Sequence, residues 1–256
     1  MASGNAHIHA MRNRQPSANL SRDCALFLDI DGTLLDFSVQ PDEVVVPLGL
    51  PALLHSLKDW LGGALALISG RKLADIERLF GPGIAMAAEH GALMRGAKGK
   101  VIIKTTPHPA LAAMVAPLRT AIAARPGTLL EEKQFGLVLH WRGAPGMAEE
   151  ITAFGKLLVA PHPELMLLPA HEAMEIRPYG TDKGAALTAF MRQPPFAGRK
   201  PVFIGDDVTD EPAIARASEM GGLGLHVARD FGGTTQAVRN WLAEQLKQEG
   251  IRDATA

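Results

Sequence analysis

Cysteine is almost absent from this 256-residue chain: Cys24 is the only one. No disulfide can form within the chain, and no multi-cysteine zinc site can be built. Cys24 lies inside an apolar run and is read as buried and inert, in keeping with a reducing, cytoplasmic location. Excess charge is missing too. Lys and Arg total 26, Asp and Glu total 27, and the formal net charge is −1. Such a balance offers no basic footprint for nucleic acid and no polybasic stretch for anionic lipid. Any phosphate-bearing ligand must therefore be held by local groups. Although 47% of the residues are hydrophobic, no run reaches the roughly 18 apolar residues that a spanning helix needs, so no membrane partner is expected. Residues 1–21 lack the apolar middle of a signal peptide. They are read as a flexible tail, with His7 and His9 as tail residues and not metal ligands. No interface stripe stands out, which favours a monomer.

What is present is a repeated design. CALFLDI (24–30), GALALIS (63–69), PVFIGDD (201–207) and GLGLHV (222–227) have strand length and stay apolar with little alternation, as strands covered on both faces do. Amphipathic stretches alternate with them: PALLHSLKDWL (51–61), KLADIERLF (72–80), KGAALTAFMR (183–192) and TQAVRNWLAEQLKQ (235–248). That alternation predicts an α/β fold with a parallel sheet wound by right-handed crossovers. Residues 107–175 break the rhythm with repeated prolines. There, helix-like pieces (ALAAMVAPLRTAIAA, MAEEITAFGKLLVA) are interleaved with strand-like ones (FGLVLHW, HEAMEIRP), which predicts an inserted α+β unit. The expected domains are thus the tail 1–21, a sheet domain from 22–106 and 176–256, and the insert 107–175.

Ligands of open parallel sheets bind outside the carboxyl ends of the strands, so the strand endings supply the candidates. These are Asp29 and Asp31, then Ser69, then Asp206 and Asp207. Lys183 joins them, placed by GTDKG in the first turn of a helix with Thr181 or Asp182 as cap; an anion would explain a lysine at that end of the helix dipole. Period-two spacing is expected to send Asp29 and Asp31 to one side. With Asp206 they form an oxygen-rich cluster of the kind Mg²⁺ accepts while keeping several waters. A carboxylate there can attack phosphorus. A second carboxyl can donate a proton to the leaving oxygen and later take one from water, worth about 10²–10⁴-fold in rate. Gly32 relieves crowding at the turn. Taken singly, each signal has a plainer reading: DxD as a solvated loop, Ser69 as a helix cap, Lys183 as a surface lysine, Asp210 and Glu211 as a helix start. Their arrival in one chain order, each at a strand end or helix start, points to a shared site.

DIDGTL, LISGR, TDKG and GDDVTDE together resemble the four motifs of the haloacid dehalogenase-like phosphatases. EHGALMR (89–95), LEEKQFGLVLHWR (130–142) and MEIRPYGTDKG (174–184) further resemble the trehalose-6-phosphate phosphatase family, and the likeness covers about 23–245. The resemblance implies a Rossmann-like haloacid dehalogenase core with an inserted α+β cap of the C2 type, and hydrolysis of trehalose 6-phosphate. It implies Asp29 as nucleophile and Asp31 as general acid/base. Mg²⁺ would be held by the Asp29 side chain, the Asp31 backbone carbonyl and Asp206, with Asp207 and Asp210 supporting that shell. Ser69 and Lys183 would hold the phosphoryl group. Asp29, Ile30, Asp31, Arg71 and His90 would approach the substrate from the core, and Glu131, Lys133 and Glu175 would meet the sugar from the cap. The stretch GLGLHVARDFGGTTQA (222–237) departs from the family's shorter turn. Alternatives from the sequence are a capped phosphatase for another sugar phosphate (sucrose phosphate or a mannosyl phosphoglycerate), a receiver-like phospho-acceptor module, and a DxD glycosyltransferase. The inserted unit and an acid at Asp31 argue against the receiver, and nothing resembles a nucleotide site for the transferase.

Overall fold

The structure is a computed structural model that describes residues 16, 19–38, 44–170 and 172–253. In chain order the elements are β1 (Cys24–Leu28), α1 (Leu50–Trp60), β2 (Leu65–Ile68), α2 (Leu73–Phe80), β3 (Ala85–Ala88), β4 (Leu93–Arg95) and β5 (Val101–Lys104). Then follow α3 (Pro109–Ala123), β6 (Leu129–Glu132), β7 (Leu137–His140), α4 (Ala148–Val159), β8 (Leu165–Ala170) and β9 (Ala173–Pro178). The chain closes with α5 (Lys183–Met191), β10 (Lys200–Gly205), α6 (Glu211–Glu219), β11 (Leu223–His226), α7 (Val227–Asp230) and α8 (Thr235–Asp253). It divides into two compact units, 1–102 with 182–256, and 103–181.

In the first unit seven strands form one sheet in the order β11-β10-β1-β2-β3-β4-β5. β11, β10, β1, β2 and β3 run parallel, and β4 turns antiparallel to β3. Every residue of β1 and β2 is buried, because helices cover both faces and leave no polar side to alternate with. Phe27 stacks on Phe196 at 5.4 Å and meets Phe190 at 6.1 Å; fully burying such a side chain is worth about 1.5–3 kcal/mol. Leu50, Leu54 and Leu57 bury one face of α1 at helical spacing. The chain leaves β1 towards β2 on one side and β10 lies on the other. The strand order therefore reverses at β1/β10, where open α/β sheets bind their ligands. Gly184 lets α5 pack tightly on α6, since a side-chain carbon there would lie 2.6 Å from the Pro212 carbonyl oxygen. That close approach sets Lys183 beside the residues that precede α6.

The second unit is a four-stranded antiparallel sheet, β6-β7-β9-β8, with α3 and α4 on one face. Its core joins Leu111, Met114 and Leu118 of α3 and Ile151 of α4 to Leu137, Leu139, Met174 and Ile176 of the sheet. Pro169 is tolerated because β8 is an edge strand. The unit runs from 103 to 181 where the sequence suggested 107–175. Position 175 falls inside β9, which is paired along its length to β8, so no boundary can lie there. Within the segment expected as a tail, Leu20 is described. Leu20 is 3% exposed and its N–H donates to Gln245 Oε1 at 2.8 Å, anchoring it to α8. His7 and His9 lie outside the described residues.

Candidate active site

Asp29 directly follows β1, and its N–H donates to the Ile204 carbonyl of β10 at 3.0 Å. Its carboxyl is 4% exposed. Lys183 Nζ donates to Asp29 Oδ1 and Asp210 Oδ1, both at 2.6 Å. The Thr33 hydroxyl is shared between Asp206 Oδ1 at 3.2 Å and, more weakly, Asp29 Oδ2 at 3.4 Å. Asp210 Oδ2 accepts from the backbone N–H groups of Asp206 and Asp207, both at 3.1 Å. Gly32 has φ 79°, and a side-chain carbon there would lie 2.1 Å from Asp206 Oδ2, so only glycine closes this turn.

Three carboxylates thus cluster near one ammonium that bonds two of them, Asp29 and Asp210, and the electrostatics show the imbalance. Burial, reinforced by the Asp210 charge, pushes Asp29 well above the usual carboxylate range despite Lys183. Burial and Asp210 likewise push Asp206 up to about 7. Burial alone would lower Lys183, but Asp210 and Asp29 outweigh it and hold the ammonium charged. Oxygens of Asp29, Asp206 and Asp210 lie within 4.8 Å of one another. An all-oxygen set short of positive charge fits Mg²⁺ in both donor chemistry and charge.

The Asp31 side chain does not share this cluster; that of Asp210 does. β1 ends at Leu28, so the period-two rule does not extend to 29–31. Asp31 turns instead to Arg71, whose Nε and Nη2 donate to its two oxygens at 2.7 and 2.6 Å. Arg71 N–H donates to Ser69 Oγ at 3.2 Å. Ser69 is not a helix cap: the α2 cap position is Lys72. The Ser69 carbonyl accepts from His90 N–H at 2.9 Å, and the His90 ring lies against Gly70. Glu89 and His90 both hold positive φ, 45° and 57°, a strained conformation that tends to gather at functional sites. Asp207 Oδ1 accepts from Val208 N–H at 2.6 Å in a capping box with Asp210. Ile30 is fully buried and its carbonyl accepts from Thr33, Leu34 and Leu35, so its side chain meets the core. Asp182 is the cap of α5, accepting from Ala185 N–H at 2.7 Å.

The sequence patterns of the trehalose-phosphatase family match residues 27–240. A trehalose-6-phosphate phosphatase of Escherichia coli (strain K12) is 38% identical over 85% of this chain and 81% of its own. The chain belongs to the trehalose-phosphatase family. Several solved structures share its fold. The C-terminal domain of a trehalose-6-phosphate phosphatase of C. albicans aligns with TM-score 0.73, at 18% identity, over 94% of this chain and 95% of that one. A haloacid dehalogenase-like hydrolase from Bacteroides thetaiotaomicron aligns with TM-score 0.57, at 15% identity, over 84% and 91%. The α/β core therefore has a haloacid dehalogenase-like fold. Among the described residues no helix is long and apolar enough to cross a membrane.

The second unit carries the other family positions. Glu131 and Glu175 both pair with Val138, from opposite sides, so they share the sheet face opposite the apolar row Leu130, Leu139 and Met174. Lys133 stands in the β6–β7 turn, its N–H donating to the Gly136 carbonyl at 3.0 Å and its Nζ to Glu175 Oε1 at 3.1 Å. The sequence reading overlooked His140, which reaches Glu131, and Arg177, two residues beyond Glu175 on the same face. It overlooked Thr33 as well, although DGT was in view. The available signal for His140 and Arg177 was parity with Glu131 and Glu175, which becomes visible only once the strand pairing is known.

Proposed function

We propose that this enzyme removes the phosphoryl group of trehalose 6-phosphate in two displacements at Asp29. The observation that carries the reading is the Asp29 carboxylate, buried at the β1/β10 switch point and held by Lys183. Family membership supports the substrate. In the first displacement an Asp29 oxygen bonds to phosphorus, the bond from phosphorus to the sugar oxygen breaks, and Asp31 gives that oxygen a proton. In the second, water bonds to phosphorus as Asp31 takes its proton. The Asp29–phosphorus bond then breaks and inorganic phosphate leaves.

Lys183 fixes one Asp29 oxygen and leaves the other to attack, while its charge opposes the negative charge of the phosphoryl oxygens. Ser69 offers those oxygens a hydroxyl. Asp31 spends both oxygens on Arg71 in the resting geometry, so its acid and base roles require that pair to open. Mg²⁺ held by Asp29, Asp206 and Asp210 would supply the positive charge that lets Asp29 act as a carboxylate beside a phosphate dianion. Glu131, Lys133 and Glu175 are assigned to the sugar. A disaccharide offers hydroxyls that both donate and accept, which carboxylates and an ammonium can meet. Cys24, buried beside Ser21, suits a cytoplasmic enzyme.

Phosphate release from a panel of phosphorylated sugars, with and without Mg²⁺, tests the assignment. Trehalose 6-phosphate should give the highest kcat/KM, and chelation should stop release. Faster turnover of sucrose phosphate or a mannosyl phosphoglycerate would overturn the substrate assignment.

A further inference from the structure

We infer that His140 is a positioning residue for the sugar, acting through Glu131; this rests on the reading that Glu131 meets the sugar. His140 is the last residue of β7 and pairs with Leu129 of β6, while Glu131 pairs with Val138. Residues 138 and 140 of one strand and 129 and 131 of the other share a face, so His140 and Glu131 are diagonal neighbours. Such pairs lie within reach of long side chains. Nε2 of His140 lies 2.9 Å from Glu131 Oε2. An ionised Glu131 only accepts, so the pair forms with the proton on Nε2, which then donates.

The pair is sheltered. The His140 and Glu131 side chains are 19% and 22% exposed, so water competes for this hydrogen bond less than it would on an open surface. One of the carboxylate's four or so acceptor positions is spent on the imidazole, and the ordering of a flexible glutamate is completed before any ligand arrives. A preordered acceptor raises affinity by removing that ordering from the binding step. The neighbouring couple, Lys133 Nζ with Glu175 Oε1, orders an ammonium in the same way. The face thereby carries ordered carboxylates and an ordered ammonium side by side, groups whose chemistry suits hydroxyls. A phosphoryl group needs none of this, so His140 should matter for the disaccharide and far less for a small ester.

The test is steady-state kinetics of the full chain on trehalose 6-phosphate and on a small aryl phosphate. The variants are His140→Phe, His140→Gln, Glu131→Gln and the double variant His140→Phe/Glu131→Gln. Thermal unfolding of each variant checks that the sheet is intact. His140→Phe is expected to raise KM for the disaccharide phosphate by about 3–10-fold more than for the aryl phosphate, the ratio that loss of one ordinary hydrogen bond gives. Its kcat should change by less than about 2-fold, since no group at phosphorus is touched. His140→Gln keeps an N–H donor and should recover part of the loss. In the double variant the two effects should not multiply, because His140 acts through Glu131. Equal KM changes on both substrates, no change, or full multiplication would overturn the role of His140. If Glu131→Gln nonetheless discriminates between the substrates, the sugar reading of Glu131 survives that failure. If Glu131→Gln fails to discriminate, that reading falls and His140 falls with it.

Discussion

The two units treat charge in opposite ways. In the first, three carboxylates cluster near one ammonium at the ends of β1 and β10, and the set stays short of positive charge. In the second, charged groups on the sheet face are hydrogen-bonded to neighbours on that face, Glu131 to His140 and Glu175 to Lys133. An unbalanced buried cluster is costly unless a cation or a reaction completes it. Paired groups that are ordered before a ligand arrives suit hydrogen bonding to neutral hydroxyls. The contrast is what our proposal rests on, with chemistry in the first unit and recognition in the second.

The sharpest way to break that division is Asp29→Asn. The amide is nearly the same size but is a poor nucleophile, and we expect kcat to fall by about 10⁴-fold or more; stopped-assay phosphate release near the wild-type rate would end the covalent account. Lys183→Met comes next. It leaves Asp29 and Asp210 buried without their ammonium, which should destabilise the metal-free protein by about 3–5 kcal/mol, read as a lower urea midpoint. A midpoint that stays the same or rises would show that the cluster is not strained by its charge.

Lys133→Ala sharpens the other half of the comparison. A hydrogen bond from a charged donor is worth about 1.5–3 kcal/mol, so KM for the disaccharide phosphate should rise about 10–100-fold more than KM for an aryl phosphate. Equal changes would remove Lys133 from sugar recognition. The smallest expected effect is on pH-dependent stability. Asp206 is raised to about 7 and Asp29 is raised as well. In the metal-free protein the two therefore favour folding most at low pH, below their unfolded values. The Asp206 contribution fades as pH rises from about 4 through about 7, and that of Asp29 fades as pH rises through its own raised value. Mg²⁺ must compete with the same protons, so its increment in Tm should be small at pH 5.5 and grow by several degrees towards pH 8. An increment independent of pH would place the ion elsewhere.

How much of this was legible in the sequence differs by region for physical reasons. CALFL, LALI and the run through PVFIG were readable as strands because burial on both faces leaves an unbroken apolar run. β3 is AMAA, built from alanines that favour no strand, and β6 is LLEE, half acidic. β8 carries Pro169, a residue that argues against a strand until its edge position is known. Within the site, Asp29, Asp206 and Lys183 announce themselves at element ends. Asp210 was read as supporting that shell, but the turn of the Asp31 side chain away from the cluster to Arg71 could not be read, because it depends on β1 ending one residue before Asp29. The pairing of His140 with Glu131 depends on strand register, which no local pattern in LEEKQFGLVLHWR states.

The most direct measurement is capture of the phosphoryl-enzyme. The protein would be mixed with trehalose 6-phosphate and Mg²⁺, quenched in acid within one turnover, reduced with borohydride and mapped by mass spectrometry. We expect residue 29 to be recovered as homoserine, the product of reducing an aspartyl-phosphate, and Asp31, Asp206 and Asp210 to be recovered as aspartate. Complete phosphate release with residue 29 never modified, or modification at another carboxylate, would contradict the assignment of Asp29 as the group that bonds to phosphorus.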